Sequence, residues 1–191
     1  MNKIITILPL MIMSGGFLVA QSDEMRFGIQ CMASRPIGDF GNALNNKFGI
    51  GIGVDLSIPY KEKHSFVPNI TYVQYDSKYK TGAMYHDYEA KVISVGLDYR
   101  YAPSAKEAAG PFFSLGIGYS NRKFSGDFGM SYSWNESVSS NDNAIYFQSG
   151  IGYFLFKNFE VELKYQYQKF SSAPEWIADA PALRCSFTYR F

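Results

Sequence analysis

The residues best suited to chemistry in this sequence are acidic and basic side chains at alternate positions within short segments. Alternate positions share one face of a β-strand, so these charges would meet inside a closed sheet. They are Arg26, Asp98, Arg100, Glu160, Glu162, Lys164, Arg184 and Arg190. A hairpin centred near Glu175 predicts that Glu160 lies opposite Arg190 and that Gln166 lies opposite Arg184. The network suits either a selective pore or a structural plug, and we favour the plug because side chains usually fill a narrow barrel.

The sequence offers little for catalysis or for a cofactor. Its two histidines, His64 and His86, lie in predicted connections, and only His86 has an adjacent acid, Asp87. Adjacent residues rarely orient one another as base and partner, so we interpret both histidines as solvated and predict no catalytic residue. Two His and two Cys on different segments predict no metal site. The alternating glycines 49, 51 and 53 lie within one strand, so they do not form a phosphate-binding loop.

Composition indicates one β-rich domain. The 191 residues include 16 Phe, 15 Tyr and 2 Trp, together 17%, beside 17 Gly. This combination favours strands and turns over helices and excludes collagen, coiled coil and disorder. With 18 basic and 17 acidic residues, the chain gives no indication of nucleic-acid binding.

The first 20 residues have the order of a secretory signal peptide. Lys3 supplies a positive charge before an apolar run at 4–19, and Ala20 is a small residue at the cleavage position. A membrane helix is the alternative, but Pro9 interrupts a run that is already short for a bilayer core of about 30 Å. We therefore predict a signal peptide at 1–20 and one domain at 21–191.

Eight segments alternate apolar and polar residues with the period of a β-strand. They are 26–31, 48–58, 66–73, 93–101, 113–120, 145–155, 159–168 and 183–191. The third contains Pro68, which cannot donate to a ladder. Eight strands in up-and-down order would close into a barrel without a free edge.

The positions of the glycines indicate which face of this barrel points outward. Nine strand glycines all lie on the polar face: Gly28, Gly49, Gly51, Gly53, Gly96, Gly116, Gly118, Gly150 and Gly152. Glycine adds nothing to a solvated surface, but it makes room for large neighbours inside a narrow barrel. We therefore predict an all-β, eight-stranded, antiparallel up-and-down transmembrane barrel with its apolar face in lipid. A soluble lipocalin-like carrier is a less favoured alternative.

The predicted connections alternate between short and long. They are short at 59–65, 102–111 and 156–158, and long at 34–47, 76–88, 121–143 and 170–182. Outer-membrane barrels have short periplasmic turns and longer extracellular loops. Tyrosines near strand ends, such as Tyr99 and Tyr167, would form interfacial girdles. Loop aromatics such as Tyr79 and Trp134 suit recognition of a protein or glycan, and equally suit packing of the loops on one another.

Two motifs carry a family resemblance. Residues 35–41, Arg-Pro-Ile-Gly-Asp-Phe-Gly, followed by the alternating glycines of 48–53, resemble the outer membrane protein beta-barrel domain family, which includes small barrels of the OmpA/OmpX type. Phe187, Tyr189 and Phe191 are similar to the C-terminal signal read by the outer-membrane assembly machinery. The resemblance implies a bacterial outer-membrane protein in contact with membrane lipid. It also implies a monomer without enzymatic activity, with a structural or adhesin-like role toward an extracellular protein or glycan. A narrow pore and a lipid-modifying enzyme are the alternatives.

Whether the two cysteines can form a disulfide depends on the register in which the first and last strands pair. Pairing Met25 with Phe191 places Cys31 opposite Cys185 on the lipid face. Opposed residues have Cβ atoms about 4.5–5.5 Å apart, a little beyond disulfide geometry, and an oxidising compartment permits the bond. The predicted register therefore allows a Cys31–Cys185 disulfide, whereas a slip of two residues would keep both thiols on one face but too far apart to bond.

Overall fold

The computed structural model describes residues 25–81, 84–103, 109–130, 134–156, 158–170 and 178–191. These residues form a closed barrel in which each strand pairs antiparallel with its neighbours in sequence and the first strand pairs with the last. The strands are β1 Arg26–Pro36, β2 Gly49–Lys61, β3 His64–Thr81, β4 Met84–Tyr101, β5 Gly110–Met130, β6 Trp134–Phe156, β7 Phe159–Gln168 and β8 Ala182–Arg190. The predicted fold class is therefore confirmed. The predicted signal peptide lies outside the described residues.

One short helix, α1 Gly38–Ala43, follows β1. In the described part of the chain, no helix has the length and apolar character needed to cross a membrane.

The apolar face of the barrel points outward. Along β8, every second residue from Ala182 to Arg190 is buried, and the residues between them face out. Large apolar side chains such as Ile50 and Leu115 are 77% and 63% exposed. A continuous apolar surface of this kind requires lipid around it, which confirms the predicted orientation.

The glycines make room inside the barrel, as their positions predicted. The Tyr75 ring lies across Gly49, where an added Cβ would come within 2.5 Å of the ring. The Phe112 ring covers Gly152 in the same way, and Tyr146 reaches over Gly118 toward Gly96. At each of these glycines, the missing side chain leaves space inside the barrel that a ring from another strand occupies.

Two of the predicted long loops are strands. β3 and β4 stay paired up to Thr81 and Met84, and β5 and β6 up to Met130 and Trp134. The prediction of loops at 76–88 and 121–143 was wrong because both faces of these extensions lie beyond the lipid, where alternation of apolar and polar residues is no longer required. Pro68 is within β3, but no β2 residue pairs with it among the described residues.

The barrel closes in a different register from the one predicted. Gly28 pairs with Arg190, so Cys31 lies opposite Phe187 and Cys185 opposite Ala33. Both cysteines are free and exposed, and the predicted opposed pair was wrong. The reason is that Phe191, beyond the end of β8, donates its N–H to the Phe27 carbonyl at 2.9 Å. The chain end thus aligns with Phe27 instead of Met25.

Candidate functional sites in the lumen and on the extracellular sheet

Arg190 links two carboxylates near the periplasmic end of the lumen. Its Nη1 lies 2.5 Å from Asp55 Oδ1, and its Nη2 lies 2.7 Å from Glu160 Oε1. Gly28 pairs with both Asp55 and Arg190 in the sheet, and because it has no side chain, the guanidinium can cross β1. A buried ion pair between β8 and β2 therefore spans β1 at the point where the barrel closes.

The ion pairs continue across the lumen without a break. Arg100 contacts Glu160 at 3.0 Å and Glu162 at 3.3 Å, while Lys164 contacts Glu162 at 3.2 Å and Asp98 at 2.6 Å. The result is an ion-pair chain in which four acids alternate with three bases: Asp55, Arg190, Glu160, Arg100, Glu162, Lys164 and Asp98. Neutral donors complete it, because Ser114 binds Glu162 and Gln148 binds Asp98. These side chains fill the inner part of the barrel.

Six of the eight predicted interior charges meet in this ion-pair chain. Arg26 instead lies half-buried at the start of β1, opposite Ser57, and Arg184 lies elsewhere in the lumen. Asp55 was missed, although its place on the polar face of the second segment was a usable signal.

The last hairpin is also shifted by two residues from the predicted register. Glu160 lies opposite Thr188 and Gln166 opposite Ala182, so both predicted oppositions were wrong. Glu160 and Arg190 still bond, because their long side chains reach each other diagonally.

An apolar plug closes the outer mouth of the barrel. Phe40 of α1 and Leu44 pack into a cluster with Val92, Phe124 and Phe170. Within it, the Arg122 guanidinium lies 4.0 Å from the Phe170 ring centroid and 5.1 Å from that of Phe40, and it pairs with Asp142 at 3.3 Å. No periodicity in the sequence identifies this plug, because its members come from separate loops and strands.

The aromatic residues at the periplasmic rim lie where the girdle prediction placed them. His64 is held between Tyr99 and Tyr101, with ring centroids 5.8 Å and 5.2 Å away, and its Nδ1 shares a hydrogen bond with the Tyr99 hydroxyl. Phe187, Tyr189 and Phe191 face outward at the end of β8. Their role in assembly stays a prediction.

The extensions of β3, β4, β5 and β6 form an extracellular sheet whose outer face is polar. Lys78 pairs with Asp87 at 2.9 Å, and Lys91 pairs with Glu89 at 2.8 Å. Asn121 donates hydrogen bonds of 2.9 Å to the side-chain oxygens of both Asn141 and Asn143. The Lys78–Asp87 pair and the asparagine bonds join neighbouring strands, whereas Lys91 and Glu89 are neighbours on the outer face of β4.

The inner face of the extracellular sheet carries an aromatic ladder. The His86 ring stacks on Tyr79 at 5.2 Å and on Tyr88 at 4.9 Å, and Tyr88 contacts Phe124 at 5.5 Å. Desolvation, followed by the charge of Lys47, lowers the pKa of His86, and Asp87 opposes this shift. The interpretation of both histidines as solvated was wrong, because each is half-buried in a stack.

The extracellular sheet has two free edges within the described residues. The β2–β3 pairing ends at Gln74, so residues 75–81 of β3 have one unpaired side. The β6–β7 pairing ends at Tyr146, which leaves residues 134–145 of β6 unpaired on that side. Unpaired strand edges can accept a further strand.

A closed barrel with a lipid-facing apolar surface and a filled polar lumen defines an integral outer-membrane protein. A model of the outer membrane protein beta-barrel domain family matches residues 6–191. The chain belongs to that family and is a protein of the bacterial outer membrane.

Solved barrels share the fold at low sequence identity. The N-terminal barrel domain of Pseudomonas aeruginosa OprF is 10% identical, with 87% of this chain and 97% of that one covered and a TM-score of 0.55. Ail of Yersinia pestis is 18% identical and neisserial surface protein A is 15% identical. Each of these two covers 90% of this chain and 100% of its own, with a TM-score of 0.52. No curated protein matches the sequence significantly.

Proposed function

We propose that this barrel acts at the cell surface as an interaction protein, and that the extracellular sheet is its binding surface. The observation that carries the proposal is the length of the paired extensions. β5 continues from Tyr119, an exposed aromatic at the outer end of its apolar face, to Met130, and it remains paired throughout. At about 3.3 Å per residue, this is roughly 36 Å of strand beyond the apolar surface. A barrel that served only as a membrane anchor would not need strands of this length.

The contents of the lumen argue against a conducting pore. A solute would have to pass the apolar plug at the outer mouth and then the ion-pair chain below it. Phe40 and Leu44 are buried in the plug, and Glu160 is buried in the ion-pair chain. Eight-stranded barrels have little interior space beyond their side chains. We therefore place the activity on the outside of the molecule.

The outer face of the extracellular sheet suits a protein or a neutral glycan. Ail of Yersinia pestis has been solved in complex with the heparin analogue sucrose octasulfate. In this chain, Lys78 and Lys91 are each paired with a carboxylate, and Asn121, Asn141 and Asn143 on the same face form hydrogen bonds with one another. Paired charges and amides recognise hydrogen-bonding groups better than they attract a polyanion.

A trimmed barrel tests this proposal. Residues 76–91 and 121–143 are each replaced by a short turn, which removes the outer face that carries Lys78, Lys91 and the three asparagines and leaves the lipid-embedded barrel. Cells displaying the full chain or the trimmed chain are compared for binding to immobilised extracellular-matrix proteins and to a neutral glycan array. We expect binding by the full chain only, with both chains showing the heat-dependent gel shift of a folded barrel. Equal binding by the two chains would contradict the proposal.

The two alternative roles have their own tests. A stable, defined conductance of the full chain in planar bilayers would make it a pore. An enzyme of membrane lipid would change the mass of that lipid on overexpression, and we expect no change. The two histidines are held in aromatic stacks at opposite ends of the barrel, which does not favour a shared catalytic site.

We also propose that the barrel is a monomer and that its last aromatic residues guide assembly. Phe191→Ala should slow insertion into the membrane while leaving the stability of the inserted barrel nearly unchanged, because Phe191 lies beyond the end of β8. The rate of appearance of the heat-modifiable form in cells measures this. Light scattering of the purified barrel tests the monomer.

A further inference from the structure

Arg184 is a buried cation without a carboxylate partner among the described residues. It lies on the inward face of β8 and is 6% exposed, and its Nε has no hydrogen-bond partner in that part of the structure. Arg100 Nε is also without a hydrogen-bond partner, so the difference lies in the carboxylates: Arg100 and Arg190 each contact two, and Arg122 contacts Asp142. An unpaired buried charge is costly, so this exception requires an explanation.

The neighbours of Arg184 in the sheet do not neutralise it. Ser34 lies directly opposite on β1, and Lys164, a second cation, lies directly opposite on β7. Like charges in opposed positions destabilise a sheet. Lys164 already binds Asp98 and Glu162, so it separates those carboxylates from Arg184. A guanidinium also cannot shed its proton at ordinary pH, so neutralisation by deprotonation is not available.

Hydroxyl groups converge on the same place. Tyr75 crosses Gly49, shares a hydrogen bond of 2.7 Å with the Ser34 hydroxyl, and lies beside the Arg184 guanidinium. Cationic and hydroxyl donors around one buried point are the groups that bind an anion.

We propose that Arg184 holds a small monovalent inorganic anion of the chloride class inside the lumen, with one hydroxyl of the Ser34–Tyr75 pair as a further donor, because the other hydroxyl donates within that pair. The ion would lie between the apolar plug and the ion-pair chain, where it adds to the filling of the lumen. It would exchange slowly with solvent.

Bromide locates the site directly. The full chain is refolded and crystallised in sodium bromide, and anomalous scattering is measured at the bromine edge. We expect a peak about 3.3 Å from the Arg184 guanidinium. The peak should disappear in Arg184→Gln and in Arg184→Met, a second variant without the charge. Arg122 of the same crystals is the internal control, because its charge is already paired with Asp142. Water density alone at Arg184, or an equal peak at Arg122, would overturn the proposal.

A solution measurement separates a resident ion from binding at crystal concentration only. The thermal midpoint of the folded barrel is measured in chloride and in gluconate at equal ionic strength. We expect chloride to raise the midpoint of the unaltered chain and to leave that of Arg184→Gln unchanged. If the midpoint of the unaltered chain does not depend on chloride, the crystal peak reflects binding at crystal concentration only and the proposal is wrong.

Discussion

Replacing Glu160 by Gln removes one of the two inner negative charges of the ion-pair chain with little change of shape. Glu160 is 1% exposed and contacts Arg100 at 3.0 Å and Arg190 at 2.7 Å. Removing one partner of a buried pair costs about 3–5 kcal/mol, because the remaining charge is left uncompensated. Here Arg100 keeps Glu162 and Arg190 keeps Asp55. We therefore expect the free energy of unfolding to fall by about 3 kcal/mol, the lower end of that range.

Equilibrium unfolding in urea, with the barrel refolded into phospholipid vesicles, measures this loss. Asp87→Asn is the matched control, because it makes the same carboxylate-to-amide change in the Lys78–Asp87 pair, whose side chains are 76% and 48% exposed. Exposed pairs contribute little, so the control should stay close to the unaltered chain. If Glu160→Gln costs no more than Asp87→Asn, the ion-pair chain is not a stabilising element and our account of the lumen fails.

Three further predictions follow from the packing. Gly28→Ala would place a Cβ 2.6 Å from Asp55 Oδ1 and 3.0 Å from Arg190 Nη1, so the same unfolding assay should show a loss of about 1–3 kcal/mol; an effect additive with Asp55→Asn would contradict this cause. Phe40→Ala should cost about 3–5 kcal/mol through the cavity it leaves, yet planar bilayers should show no conductance, since the ion-pair chain stays in place. The lowered pKa of His86 means that the unfolded state binds its proton first, so stability should fall as pH drops below the ordinary value of 6.5. An NMR titration of His86 with a midpoint at or above 6.5 would disprove that prediction.

The sequence predicts this fold well wherever lipid imposes a pattern. Between lipid and lumen, every second side chain must be apolar, and segments such as 159–168 and 183–191 display that alternation. Above the lipid the requirement ends, and the paired residues of β5 and β6 beyond Tyr119 resemble a loop in composition. Their strand conformation depends on hydrogen bonds between strands, which hydropathy does not report.

Strand register is the property that the alternation could not determine. A shift of two residues leaves every side chain on the same face, so the pattern is equally satisfied by the predicted and observed pairings. The β1–β8 and β7–β8 ladders both differ from the prediction by this amount. In the observed pairing, Arg190 lies opposite Gly28 and can reach Asp55 across the gap, a contact that needs the three-dimensional position of β2.

The two kinds of filling in the lumen suit the two environments they occupy. The apolar plug lies at the outer mouth, where water is available and burying Phe40, Leu44 and Phe170 gains stability from the hydrophobic effect. Deeper in the barrel the wall is surrounded by lipid, and there the ion-pair chain joins strands that are not neighbours in the sheet, as Asp55 on β2 and Glu160 on β7 are joined through Arg190 on β8. Removing either filling leaves the other in place, so closure of the barrel does not depend on one residue. A lumen filled at two levels would block a channel. It suits instead a rigid base that holds the extracellular sheet above the membrane.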